Sequence, residues 1–125
     1  MREINVSEVT KNIKEMCIEA NYNLSEDMQK VFHHALDTEK SPLGKQVLNQ
    51  LNENLSIAKT DHIPICQDTG MAVVFVDYGQ DVLVVGGSFE QAVEEGVRQA
   101  YTEGYLRKSV VSDPLFARTN TKDNT

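Results

Sequence analysis

Apolar residues recur at spacings of three and four along the first sixty residues, which is the periodicity of amphipathic helices. We predict three short helices there, beginning at Ser7, at Ser25 and at the dipeptide Ser41-Pro42. We expect each apolar stripe to be the buried face of its helix. In chain order the stripes are Ile4, Val6, Val9, Ile13, Met16, Cys17 and Ala20; Met28, Val31, Phe32, Ala35 and Leu36; and Leu43, Val47, Leu48, Leu51, Leu55 and Ala58.

The periodicity changes after residue 70. Residues 71–78 are β-branched, aromatic and almost continuously apolar, which predicts a strand buried on both faces. Gly79-Gln80 is a turn signal, and residues 81–85 predict a second strand or a continuation of the first. Ser88 then predicts the N-cap of a long helix that ends near Leu106.

The order of these elements predicts a mixed α+β fold, with N-terminal helices followed by buried strands and a long helix. We expect residues 1–125 to form a single partial domain, helical over 1–60, with the turn, strands and long helix over 61–125. Asp113-Pro114 indicates a turn. The polar end, RTNTKDNT, is either a frayed tail or a loop whose following strand is missing.

Composition and charge exclude several classes of protein. Acidic residues outnumber basic ones by 19 to 12, so the formal net charge is −7, the opposite of a nucleic-acid binder. No apolar run approaches the ~20 residues that cross a bilayer, and the N-terminus lacks the apolar segment of a secretory signal. Two cysteines, Cys17 and Cys66, do not make a disulfide framework. We therefore expect a cytoplasmic protein with no nucleic-acid or membrane partner.

The stretch IPICQDTG, residues 63–70, places a thiol, an amide, a carboxylate and a hydroxyl between a proline and a glycine. Cys66 is either a small half-buried hydrophobe or an exposed ligand at the entrance of a strand. Asp68 and Thr69 are also typical turn formers. One cysteine makes neither a zinc site nor an iron–sulfur site, and Cys17 belongs to a helical core stripe. Any further ligands would therefore lie outside this chain.

Arg107 follows the last turn of the predicted long helix. A cation there is explained by the helix macrodipole alone. The alternative is that its guanidinium binds a substrate carboxylate, which its planar fork matches in geometry.

Four segments in this order resemble the class I (iron–sulfur) fumarate hydratases and the related L(+)-tartrate dehydratases. They are ICQDTG, GGSFEQAVEEGVRQAY, YLRKS and DPLFARTNTKDN. The resemblance is tightest from about Thr60 onward, and the length of the N-terminal helical region suggests the alpha subunit of the two-subunit form. The resemblance implies a hydro-lyase that dehydrates a 2-hydroxy dicarboxylic acid, either malate to fumarate or L-tartrate to oxaloacetate.

The resemblance also implies a four-iron four-sulfur cluster held by three cysteines, with one iron open to the substrate. Carried over to this sequence, Cys66 would be one cluster ligand, and Gln67 and Asp68 would contact the substrate. Asp68 would transfer a proton at the leaving hydroxyl, and Arg107 would bind a substrate carboxylate. Ser88 and Asn120 lie in matching segments without an implied role. The resemblance implies that a beta subunit or C-terminal domain supplies the proton-abstracting base and that the complete enzyme is a homo-oligomer.

The chain stops at TKDNT, where the family continues into another strand and two more cluster cysteines. We therefore expect an N-terminal fragment that is inactive alone and has unpaired sheet edges prone to self-association. The alternative function belongs to another class, a small acidic helical interaction or regulatory module in which Cys66 is a redox-sensitive thiol. The sequence does not distinguish malate from tartrate as the substrate.

Overall fold

The computed structural model describes residues 1–125 as four helices and two short strands. This mixture confirms the α+β class. No helix is both long enough and apolar enough to cross a membrane. In chain order the elements are β1 (Arg2–Asn5), α1 (Val6–Tyr22), α2 (Glu26–Thr38), α3 (Pro42–Asp61), β2 (Val82–Val85) and α4 (Phe89–Glu103).

The two strands form a parallel sheet that joins the N-terminus to the second half of the chain. Arg2 of β1 is opposite Val82 of β2, and Asn5 is opposite Val85. The prediction that the first helix includes Ile4 and begins at Ser7 is wrong, because pairing with β2 holds this segment extended. Asn5 is the N-cap instead, and its side-chain oxygen accepts a hydrogen bond from the Ser7 N–H at 2.9 Å.

Helices α1 and α4 pack together and form the core. The buried cluster is Ile13, Tyr22, Val97, Ala100, Tyr101 and Leu106. The helices approach closely at Gly96, where an added Cβ would lie 2.7 Å from both the Ile13 Cβ and the Thr10 carbonyl oxygen. The Tyr22 hydroxyl donates a hydrogen bond to the Gly104 carbonyl at 2.9 Å, which connects the end of α1 to the end of α4.

Helices α2 and α3 pack against each other. Their predicted starts are confirmed, because Ser25 caps α2 and Ser41 caps α3, with Pro42 in its first turn. The predicted buried faces are wrong. No residue of α2 is buried, and Ala58 alone is buried in α3. The apolar stripes of this pair, including Met28, Val31, Leu43 and Val47, remain largely exposed because no other element covers them.

The predicted buried strand over residues 71–78 is wrong. These residues form no regular element and take part in no backbone–backbone hydrogen bond. Their pattern fits a strand, but a strand also needs a neighbour, and the β2 amide of Val84 bonds to the Tyr78 hydroxyl at 3.3 Å instead. Phe75 is consequently 93% exposed. The second predicted strand is confirmed as β2, after a turn at Gly79.

The predicted long helix is α4, which begins after Ser88 as expected and ends at Glu103, earlier than Leu106. The predicted turn at Asp113-Pro114 is confirmed, since the Asp113 carboxylate accepts hydrogen bonds from three following backbone N–H groups. These bonds lower the pKa of Asp113. The frayed-tail reading of the polar end is wrong, because Val111 and Asn120 form an antiparallel bridge and Asn124 is buried.

Candidate functional site

The loop over residues 63–70 is held between two helices. Helix α3 ends at His62 in the left-handed conformation, with φ 53°, which turns the chain away from the helix axis. The Ile65 N–H donates to the Asn21 carbonyl at 2.9 Å, and the Ile65 carbonyl accepts from the Asn54 side chain at 2.8 Å. These two bonds fix the backbone immediately before Cys66.

The three candidate site residues of this loop are all exposed. They are Cys66, Gln67 and Asp68. The Asp68 carboxylate accepts a hydrogen bond from the Gly70 N–H at 3.1 Å, which is the turn-forming contact typical of this residue type. Gly70 has φ 60°, a conformation that other residues adopt only with strain.

Arg107 lies close to this loop, in the segment that follows α4. After α4 ends, Tyr105 adopts φ 56° and turns the backbone, and Leu106 returns to the core at 5% exposure. Side chains of extended backbone alternate in direction, so Arg107 projects to the surface next to the buried Leu106. Its guanidinium group makes no hydrogen bond or ion pair within the chain.

A groove of about 450 Å³ lies between the loop and the segment after α4. It brings together three of the four predicted site residues, Cys66, Gln67 and Arg107. Asp68 does not line the groove. The remaining lining residues are Ile63, Pro64, Thr69 and Tyr105.

Thr69 connects the two sides of the groove, which the sequence pattern did not predict. Its hydroxyl oxygen accepts a hydrogen bond from the Arg107 N–H at 2.8 Å and donates to the Arg107 carbonyl at 3.4 Å. As an isolated hydroxyl residue in a turn, Thr69 is indistinguishable from an ordinary turn former. Its partner lies 38 residues further along the chain, so the local sequence around Thr69 does not predict this contact.

Two buried side chains support the same junction. The Tyr101 hydroxyl donates to the carbonyl oxygens of Thr69 and Gly70, at 3.1 and 3.2 Å. Burial raises the pKa of Tyr101, so its hydroxyl stays protonated and remains a donor. Asn124 donates to the Gly70 carbonyl at 3.3 Å while its side-chain oxygen accepts from the Ser109 and Val110 amides.

The last residues of the chain are also tied to α4. Asp123 forms an ion pair with Arg98 at 3.1 Å. Its pKa is lowered, first by hydrogen bonds from the backbone and side chain of Thr125 and then by the bond from Arg98. Asp123 therefore remains ionised well below neutral pH and keeps the segment around Asn124 attached to the helix.

The cysteines and carboxylates of the chain do not assemble a complete metal site. No cluster of three or more His, Cys, Asp or Glu side chains has metal-binding geometry. Cys17 is half-buried, and burial raises the pKa of its thiol, which disfavours the thiolate form that a metal needs. Cys66 is the exposed thiol. The donor set therefore fits one ligand position of an iron–sulfur cluster and no more.

Comparison with known proteins gives consistent matches along the chain. Residues 10–125 match the family model described as fumarate hydratase (Fumerase). A protein of Methanocaldococcus jannaschii, provisionally named L(+)-tartrate dehydratase subunit alpha, is 35% identical over 117 residues, covering 90% of this chain and 39% of that protein.

Two Escherichia coli K12 proteins also match. L(+)-tartrate dehydratase subunit alpha is 25% identical over 120 residues, covering 96% of this chain and 39% of that protein. The anaerobic class I fumarate hydratase is 40% identical over 73 residues, covering 58% of this chain and 13% of that protein. The chain thus spans less than half the length of each of these relatives.

Proposed function

This chain belongs to the fumarate hydratase family, and we propose that it is the N-terminal part of a hydro-lyase. The complete enzyme reversibly dehydrates a 2-hydroxy dicarboxylic acid, either malate to fumarate or L-tartrate to oxaloacetate. The observation that carries this proposal is the groove, whose lining includes two exposed residues, Cys66 and Arg107. These two groups come from segments about 40 residues apart, so their proximity depends on the fold.

Arg107 binds one carboxylate of the substrate. Arg107 is exposed and lines the groove, and its guanidinium makes no hydrogen bond or ion pair within the chain, so all its donors are available to a ligand. A planar guanidinium can donate two parallel hydrogen bonds to a carboxylate, which fixes orientation as well as charge. Gln67, on the opposite side of the groove, supplies amide donors and an acceptor for the same substrate.

Asp68 transfers the proton at the leaving hydroxyl. Expulsion of hydroxide from the substrate is slow unless an acid protonates the departing oxygen, and a positioned carboxylic acid does this. Asp68 is exposed, lies between Gln67 and Thr69, and has one carboxylate oxygen engaged with the Gly70 N–H. Substrate binding would have to turn the free oxygen of this carboxylate toward the groove.

Cys66 is one ligand of a four-iron four-sulfur cluster in the complete enzyme. When bound, this group supplies Lewis-acid polarisation of the substrate hydroxyl. The remaining ligands lie outside these 125 residues, and so does the base that removes the proton. We propose that a beta subunit or C-terminal domain completes the site, that the enzyme is a homo-oligomer, and that it works in the cytoplasm, where thiols stay reduced.

The test is a substrate panel on the complete enzyme purified without oxygen. We expect hydration of fumarate or dehydration of L-tartrate, loss of iron and activity in Cys66→Ser, and retention of both in Cys17→Ser. Arg107→Lys keeps the charge but removes the fork, so it should raise KM for the dicarboxylate. If Cys66→Ser leaves the iron content unchanged, Cys66 is a simple thiol and the regulatory-module alternative is favoured.

A further inference from the structure

We propose that Thr69 is a positioning residue, whose hydroxyl fixes the Arg107 backbone against the loop that carries Cys66. This inference rests on the proposed function, because it concerns the distance between the proposed cluster ligand and the proposed carboxylate-binding group. The Thr69 side chain hydrogen-bonds only to the backbone of Arg107, and not to its guanidinium or to Cys66. Its role is to set where Arg107 stands relative to the loop.

The first observation is the geometry of the contact. One hydroxyl group satisfies both backbone groups of Arg107, accepting from its N–H at 2.8 Å and donating to its carbonyl at 3.4 Å. Two strands would normally join through paired backbone bonds, and no backbone–backbone bond joins these two segments. The Thr69 side chain therefore performs the pairing that a backbone ladder would perform.

The second observation is that Thr69 is itself immobilised. Its carbonyl accepts a hydrogen bond from the hydroxyl of Tyr101, a residue that is only 2% exposed. The neighbouring Gly70 carbonyl accepts from both Tyr101 and Asn124, and Asn124 is 4% exposed. Because Tyr101 of α4 holds the Thr69 backbone and the Thr69 hydroxyl holds the Arg107 backbone, the position of Arg107 depends on the position of α4.

The third observation is the chain path on either side of the contact. Cys66 lies three residues before Thr69, and the backbone at Thr69 is restrained by the bond from the Gly70 N–H to the Asp68 carboxylate. On the other side, the contact is made to Arg107 itself, so only its own side chain separates the fixed backbone from the guanidinium. We therefore expect a substitution at Thr69 to affect the position of Arg107 more than that of any other residue lining the groove.

The consequence for catalysis follows because the reaction rate is sensitive to small displacements of the groups that bind the substrate. A displacement of about 1 Å in a reacting group can cost on the order of 10²-fold in rate. Removal of the Thr69 hydroxyl lets the Arg107 backbone move while the cluster ligand stays in place. We expect Thr69→Val to raise KM for the dicarboxylate and to lower kcat by about tenfold to a hundredfold. Iron content and cluster absorption should remain at the wild-type level.

The experiment compares four proteins in the complete enzyme, namely wild type, Thr69→Val, Thr69→Ser and Thr10→Val. Thr69→Ser retains the hydroxyl and should restore both kinetic constants. Thr10→Val is the matched control, because the Thr10 hydroxyl also bonds a distant backbone carbonyl, that of Ala92 at 2.9 Å, but lies away from the groove. We expect its kcat and KM to equal those of the wild type at a temperature where all four proteins are folded.

A second measurement does not depend on activity. Amide hydrogen exchange at Arg107 in this 125-residue chain should be about tenfold faster in Thr69→Val than in wild type, since the N–H loses its acceptor. Thr69→Ser and Thr10→Val should leave that rate unchanged.

The outcomes separate the two proposals. An active wild type with unchanged kcat and KM in Thr69→Val overturns the positioning role, and so does an unchanged exchange rate at Arg107. A loss of activity that tracks only a loss of folded protein, with normal constants for the folded fraction, also overturns it. A wild-type enzyme that acts on none of the hydroxy acids overturns the proposed function, while the exchange rates still report whether Thr69 holds Arg107.

Discussion

At the scale of single residues, the two cysteines occupy different environments. Cys66 is exposed on a turn, whereas Cys17 is half-buried in α1. Burial disfavours the charged thiolate and raises the pKa of Cys17. This contrast supports the choice of Cys66 as the ligand, because the thiolate is both the metal-binding and the nucleophilic form.

Alkylation should therefore distinguish the two thiols. With iodoacetamide near neutral pH, we expect Cys66 to react on the order of tenfold faster than Cys17, because Cys66 is exposed and burial raises the pKa of Cys17. Mass spectrometry of time points gives the two rates. Cys66→Ser should leave only the slow reaction and Cys17→Ser only the fast one. Equal rates at both positions would contradict the environments described here.

The residue scale also shows what sequence can and cannot predict. The chemistry of Cys66, Gln67 and Arg107 and the resemblance to a family predict site residues, and the fold brings these three to one groove. The sequence does not single out Thr69 and Asn124 in this way, because their partners lie 38 and 54 residues away and each looks locally like a turn residue. A hydrogen bond between residues so far apart in sequence does not affect the local pattern of residue types.

At the scale of elements, local signals predict the starts of α2, α3 and α4, whereas tertiary context decides the start of α1 and the fate of the strands. Ser25, Ser41 and Ser88 are N-caps because each satisfies backbone donors within its own first turn. The predicted strand over residues 71–78 failed because pairing needs a second strand, and none of the described residues supplies one. The residue types of a segment indicate whether it can form a strand, but they do not indicate whether a second strand lies beside it.

The contact between α1 and α4 depends on the absence of a side chain at Gly96. An added Cβ would lie 2.7 Å from atoms of Ile13 and Thr10, one of which is a backbone carbonyl oxygen that cannot rotate away. We expect Gly96→Ala to lower the free energy of unfolding by ~1–3 kcal/mol, through separation of the two helices. Urea unfolding followed by circular dichroism measures this change.

Gly79→Ala is the matched control for that substitution. A Cβ at Gly79 would meet only the Val82 side chain at 3.5 Å, an ordinary van der Waals distance. Its effect should stay within about 0.5 kcal/mol. Equal destabilisation by the two substitutions would contradict the role of the close approach at Gly96, since alanine by itself has the higher helix propensity.

At the scale of the whole molecule, the chain exposes more surface to solvent than a compact monomer of the same mass. Its accessible surface is 9178 Å², whereas a compact monomer of 14.0 kDa exposes about 6,700 Å². The excess, about 2,500 Å², exceeds what one partner contributes to a standard protein interface. Much of the exposed apolar area belongs to residues 71–78 and to the α2–α3 pair.

We therefore expect this chain to self-associate as its concentration rises. Its net charge of −7 opposes association, so added salt should promote it by screening the repulsion. Light scattering should show a weight-average mass that rises above 14.0 kDa with concentration. A constant monomer mass at high concentration and high salt would count against the exposed face as an associating surface.

Two phenylalanines test which surface is responsible. Phe75 is 93% exposed within residues 71–78, and Phe116 is 87% exposed outside that segment. Phe75→Ser should reduce the association, and Phe116→Ser should leave it unchanged. A larger effect of Phe116→Ser would assign the association to the turn after Asp113.

The connection of Gly70 to Asn124 has a consequence for the order in which this chain is made. A ribosome releases the Cys66 loop long before it reaches Asn124, and β1 and α1 likewise wait for β2 and α4. The nascent chain can form its helices early, but the bond between Gly70 and Asn124 cannot form until residue 124 has emerged. The thiol of Cys66 is thus exposed to its surroundings before the loop that carries it acquires this contact.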